Sequence, residues 1–193
     1  ALDLQYYRLN YQFQQYFQFF PRVTFAFNSE IGYGDGYGGK AYPFFKNYYV
    51  GGIGTVRGFE TGSLGPRDLD DSPLGGNHRL NFSFEAYLPI PGADRTLRGL
   101  AFADAGQVWG IAPRRDAAGN FVLVPFTDRF GQAAQRPIYD KERIDLGNLR
   151  YSVGLGVAWI SPLGPLRLSY AYPLNRKSED RLQRFQFQIG TGF

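Results

Sequence analysis

Apolar and polar residues alternate one by one through most of this chain, and no stretch holds the spacing of a helix. The alternation predicts seven strands. Over 5–20, Tyr7, Leu9, Tyr11, Phe13, Phe17 and Phe19 face one way, against Arg8, Asn10, Gln12, Gln14 and Gln18. Over 22–34, Val23, Phe25, Phe27, Ile31 and Tyr33 oppose Thr24, Asn28 and Glu30. The third strand, 79–89, sets Leu80, Phe82, Phe84 and Leu88 against Asn81, Ser83, Glu85 and Tyr87. The fourth, 97–109, turns Ala101, Ala103 and Ala105 away from Phe102 and Asp104. The fifth, 148–160, sets Tyr151, Val153, Leu155, Val157 and Trp159 against Ser152, Gly154, Gly156 and Ala158. The sixth, 166–173, opposes Leu166, Leu168, Tyr170 and Tyr172 to Arg167, Ser169 and Ala171. The last, 183–193, opposes Phe185, Phe187, Ile189, Thr191 and Phe193 to Gln186, Gln188, Gly190 and Gly192.

Short turns alternate with long loops, the latter at 35–77 and 110–146. Strands of about ten residues cross a bilayer at a tilt of about 45°. Outer-membrane barrels combine such strands with short periplasmic turns and long external loops. Aromatic residues near strand ends, such as Tyr7, Phe19, Tyr33, Trp159, Tyr172 and Phe193, suit the two interfaces. A water-soluble β-sandwich shows the same alternation. Its wet face normally carries Lys and Glu, whereas these strands carry Gln, Asn, Ser and Gly. Loops of roughly 35–40 residues also sit poorly in a compact sandwich. Seven strands fall short of the eight of the smallest single-chain barrels. The expected fold is therefore all-β, an antiparallel transmembrane β-barrel present as a seven-stranded piece. Its first and last strands have bare edges able to pair with another copy.

Composition agrees with a two-faced sheet. Of the 193 residues, 18% are aromatic and 25 are glycine, yet mean hydropathy is below zero. No apolar run reaches the roughly 18 residues of a transmembrane helix. Without cysteine, disulfides and thiolate metal sites are excluded. The net charge of +4 is spread through loops, and no basic stripe accompanies a recognition helix, so nucleic acid is not an expected partner. Ala1-Leu2-Asp3 runs straight into strand-like sequence, so either a signal peptide has been removed or the chain is an excised piece, and the second is the expectation.

Candidate chemistry is sparse. Gly32 to Gly39 has the glycine density of a phosphate loop, but no helix follows it. His78 is the only histidine, so His-based triads and metal clusters lack support. Asp68, Asp70 and Asp71 read as a solvated loop. No metal, cofactor or enzyme activity is expected. The most distinctive feature is Gly51-Gly52-Ile53-Gly54-Thr55-Val56-Arg57-Gly58-Phe59, followed by Leu64-Gly65-Pro66. One arginine between a β-branched residue and a glycine suits passage through a tight space toward something acidic.

Val56-Arg57-Gly58-Phe59 and its glycines resemble the sixth external loop of the outer-membrane insertase superfamily, the BamA-like barrels. Tyr42-Pro43-Phe44-Phe45, Ser161-Pro162-Leu163-Gly164-Pro165 and the terminal Phe-Gln-Phe-Gln-Ile-Gly extend the resemblance from end to end. It implies the C-terminal part of a sixteen-stranded barrel, with earlier strands and periplasmic POTRA domains outside this sequence. It implies that the loop folds into the lumen and that Arg57 meets Glu85 and Asp104, with Phe102 beside them. It also implies a seam at the last strand, through Phe185, Phe187, Ile189, Gly190, Gly192 and Phe193. Function would be assembly of outer-membrane proteins in a Gram-negative bacterium. The partners would be unfolded client proteins, accessory lipoproteins and the surrounding lipid. A two-partner secretion or TamA-like barrel, and a passive pore, remain as alternatives.

Overall fold

The computed structural model describes residues 4–93, 96–127, 130–162 and 164–190. Gly192 and Phe193 of the expected seam, with Thr191 and the turn residue Leu163, lie outside the described residues. Seven strands form the wall, numbered here β1 (Tyr6–Phe20), β2 (Val23–Gly36), β3 (His78–Pro89), β4 (Leu97–Trp109), β5 (Arg150–Ser161), β6 (Gly164–Pro173) and β7 (Phe185–Ile189). Each pairs antiparallel with its neighbours in sequence, so the wall is an up-and-down meander ending at β1 and β7. Among the described residues it is an open sheet.

The alternation becomes two opposite faces. On one face of the wall Leu9, Leu155, Tyr170, Phe187 and Ile189 are more than half exposed. On the other, Asn81, Glu85, Asp104, Ser152, Ser169 and Gln186 are each less than 6% exposed. Polar residues inside and apolar residues outside reverse the order of a water-soluble core, which removes the β-sandwich. An outward apolar face suits lipid. Its ring contacts run across strands: Phe17 stacks on Phe25, and Phe25 on Phe84, at centroid distances of 5.6 and 5.8 Å. His78 lies at the first position of β3, stacked 4.4 Å from Tyr33 and tilted against Trp109 at 5.5 Å.

The structure refines three expectations. The segment 110–146 is a long connection between β4 and β5, and it carries short strands of its own. It folds into ribbons in which Ile111–Pro113 pairs with Tyr139–Lys141 and Leu123–Thr127 with Ala133–Pro137. These pieces are too short, and too interrupted by Pro113, Pro125 and Pro137, for alternation to register. The fifth strand begins at Arg150, because Leu146–Asn148 forms a 3-10 turn in which Asp145 accepts a hydrogen bond from Gly147 N. The last strand is also divided. Phe185–Ile189 pairs with β6, whereas Leu182–Gln183 pairs with Gly58–Phe59 of the long loop.

That loop, between β2 and β3, supplies the apolar core. Tyr48, Val50, Val56, Phe59 and Leu64 cluster with Val108 of β4, and Leu182 packs against them. Residues from both sides of the wall reach it. Tyr48 Oη hydrogen-bonds Asn10 Oδ1 of β1 at 2.6 Å, and Gln186 Nε2 of β7 donates to Phe59 O at 2.7 Å. One loop touching both terminal strands means the sheet is curled around it.

Candidate functional site

The loop delivers one charge to the polar face of the wall. Arg57 is 1% exposed. Its Nε and Nη2 donate to the two oxygens of Asp104 at 2.6 Å each. Its Nη1 donates to Glu85 Oε1 at 2.7 Å, and Nη2 also donates to Ser83 Oγ at 3.0 Å. The guanidinium carbon lies 3.6 Å from the centroid of the Phe102 ring. Arg57 therefore has its fork filled by carboxylates and its face covered by an aromatic ring, the two contacts a guanidinium makes best.

Strand register explains why these side chains converge. Ser83 is opposite Asp104, and Glu85 is opposite Phe102, on neighbouring strands of the β3–β4 ladder. Period two puts all four on one face. On β5, Gly154 is opposite Phe102. A side chain at 154 would overlap the Phe102 ring, so the glycine leaves room for the ring to lie under the arginine.

The flanking loop residues are shaped for close approach. Val56 and Phe59 are fully buried in the apolar cluster. Gly58 has φ of +92°, and a Cβ there would lie 3.0 Å from Pro173 Cγ and 3.2 Å from Ala171 Cβ. Both the backbone conformation and the space suit glycine.

Ser83, Tyr87 and Arg167 complete the cluster and were not singled out from the sequence. Arg167 Nη1 donates to Glu85 Oε1 at 3.1 Å, and its Nη2 donates to Tyr87 Oη at 2.7 Å. Tyr87 Oη in turn donates to Glu85 Oε2 at 2.6 Å. Two arginines thus face two carboxylates, which balances the buried charge. The available signal was Arg167 itself, a cation on an otherwise small, uncharged inward face of β6 that requires an anion nearby.

A second tie lies outside the wall. Asp71 accepts from Arg181 Nη2 at 2.9 Å and from Arg67 Nη1 at 3.2 Å. These contacts, Arg181 first, hold its carboxyl below the usual aspartate range. Asp71 is therefore engaged with cationic side chains. Among the described residues, no three metal-type side chains come together.

An Omp85 superfamily domain matches residues 2–193. The chain belongs to the Omp85 superfamily. It is 41% identical over 198 residues to the outer membrane protein assembly factor BamA of Neisseria meningitidis serogroup B, covering 98% of this chain and 24% of that protein. It is 30% identical over 156 residues to the BamA of Nitratidesulfovibrio vulgaris, covering 78% of this chain and 16% of that protein. A crystal structure of Haemophilus ducreyi BamA lacking POTRA domains 1–3 superposes with a TM-score of 0.71 at 28% identity, over 96% of this chain and 35% of that one. The chain spans a quarter or less of these two curated relatives. In this Omp85 domain, the wall, the inward loop and the charged cluster all lie within the matched residues.

Proposed function

We propose that this chain is the C-terminal wall of an outer-membrane barrel that folds and inserts other outer-membrane proteins. The observation that carries the reading is its 41% identity, over 98% of its length, to a protein named an outer-membrane assembly factor. The barrel sits in the outer membrane of a Gram-negative bacterium, with its apolar face toward lipid. Its clients are unfolded outer-membrane proteins. Accessory lipoproteins bind through periplasmic POTRA domains beyond these residues.

The mechanism is physical rather than chemical. Among the described residues, β7 pairs with β6 through five positions, whereas β5 and β6 pair through ten. Gly190, with φ of +89°, follows Ile189 directly. Among the described residues β7 is an edge strand, paired on one side only, and its free edge is a template for an incoming strand. The inward loop, held by Arg57 against Glu85 and Asp104, fixes the wall from within while the seam opens. The same loop occupies lumen space, which disfavours a passive pore.

The absence of cysteine in these residues simplifies the test. In the full-length protein, one cysteine in β7 and one in the barrel's first strand close the seam with a disulfide. Client assembly is expected to stop on oxidation and return on reduction. Normal assembly by the locked protein would reject the seam.

A further inference from the structure

The last strand changes partner partway along its length. From Leu166↔Ile189 to Tyr170↔Phe185 it pairs with β6, and Arg184 O still accepts from Ala171 N at 2.8 Å. Beyond that point the partner is the inward loop. Leu182 pairs with Phe59 and Gln183 with Gly58, and Glu60 N donates to Arg181 O at 2.9 Å.

Continuing the β6 register would set Gln183 opposite Tyr172 and Leu182 opposite Pro173. Pro173 has no N–H to give, so the wall ends as a poor partner there. The loop supplies what the wall lacks. Gln186 strengthens the exchange. It is 4% exposed, faces inward from β7, and donates to Phe59 O at 2.7 Å. Leu182 packs on the loop's apolar cluster, and Arg181 reaches Asp71 of the same loop. All these ties gather within a few residues of Arg57 or on the segment it carries inward.

We propose that Gln186 is a positioning residue that couples the docked loop to the seam strand. With Arg57 docked, residues 181–183 belong to the loop, and the outer end of the last strand is withheld from strand pairing at the seam. When the loop leaves its carboxylates, that end is released. This deepens the assembly reading, because it rests on the last strand being where clients pair.

The test uses the full-length protein in its membrane, with Glu60→Cys and Arg181→Cys placed where the loop and the last strand meet. Neighbours across an antiparallel pair lie within disulfide reach. Disulfide yield is expected to be high with Gln186 present. It should fall at least about fivefold with Gln186→Glu, which keeps the size but cannot donate when ionised. Gln186→Leu and Arg57→Ala should lower it similarly. Heat-modifiable gel mobility identifies the folded barrel, so yields are compared among folded molecules only. Unchanged yield in folded Gln186→Glu and Gln186→Leu protein would overturn the coupling, whatever happens to client assembly. A reduced yield with fully normal client assembly would uphold the coupling and count against the assembly reading on which its purpose rests.

Discussion

Arg57 and Asp104 are joined by three hydrogen bonds. Two come from the guanidinium, at 2.6 Å each, and the third from the Arg57 backbone N–H, at 3.1 Å. One carboxylate thus fixes both the side chain and the path of the loop that carries it. Glu85 is bound differently, since it is shared between Arg57 and Arg167.

That difference ranks two substitutions. Asp104→Ala leaves a buried guanidinium with two of its four hydrogen bonds and takes away the side-chain acceptor of the loop amide. Removing one side of such a pair costs about 3–5 kcal/mol. Glu85→Ala should cost less, because Arg57 keeps its fork on Asp104 and Arg167 keeps Tyr87. Urea-dependent loss of the heat-modifiable folded form would measure both. Equal costs, or the reverse order, would contradict the assignment of Asp104 as the main anchor.

Arg57→Lys keeps the charge but loses the planar fork. One ammonium cannot satisfy both oxygens of Asp104, reach Glu85 and stack on Phe102 as a guanidinium does. The variant should resemble Arg57→Ala more than the parent in amide hydrogen exchange across residues 50–64. Parent-like protection would mean that charge alone holds the loop.

Much of the wall is legible in the sequence because it depends on period two alone. Leu80, Phe82 and Phe84 against Asn81, Ser83 and Glu85 set the faces of β3 without knowledge of any other strand. What depends on register between distant strands is not legible in that way. Tyr87 and Arg167 are 80 positions apart, yet they meet at 2.7 Å. The division of the last strand is hidden for the same reason. Phe185, Phe187 and Ile189 continue the alternation, and nothing local reports that Leu182 and Gln183 have a loop for a partner. The direction of Arg57 came from resemblance. Its residues alone said only that a glycine-flanked arginine suits a confined acidic site.

Gly58→Ala should loosen the motif while leaving every charged group in place. The new Cβ would meet Pro173 at 3.0 Å in a backbone conformation with φ of +92°. Strain of this kind costs about 1–3 kcal/mol. The expected result is a lower urea midpoint and faster exchange at Phe59 and Glu60, with folding of the wall retained. No change in either would show that the loop can dock with a different backbone.

Acid should release the outer tie between Asp71 and its two arginines. The Asp71 carboxyl is held low by Arg181 first and then Arg67. A carboxyl depressed in the folded state stabilises above its unfolded value and loses that contribution as pH falls through its folded value. From about pH 8 to 5, protection of residues 67–73 should stay constant, with loosening only below about pH 4. In Asp71→Asn this acid-dependent loosening should disappear. A transition near neutral pH would point to a different group.

The most direct test of the inward anchor is limited proteolysis of the full-length protein in intact outer membranes, comparing the parent with Arg57→Ala. The docked loop should resist cleavage between residues 47 and 77 in the parent and be cut readily in Arg57→Ala, while the wall stays folded. Equal resistance in both proteins would show that the arginine does not hold the loop in place.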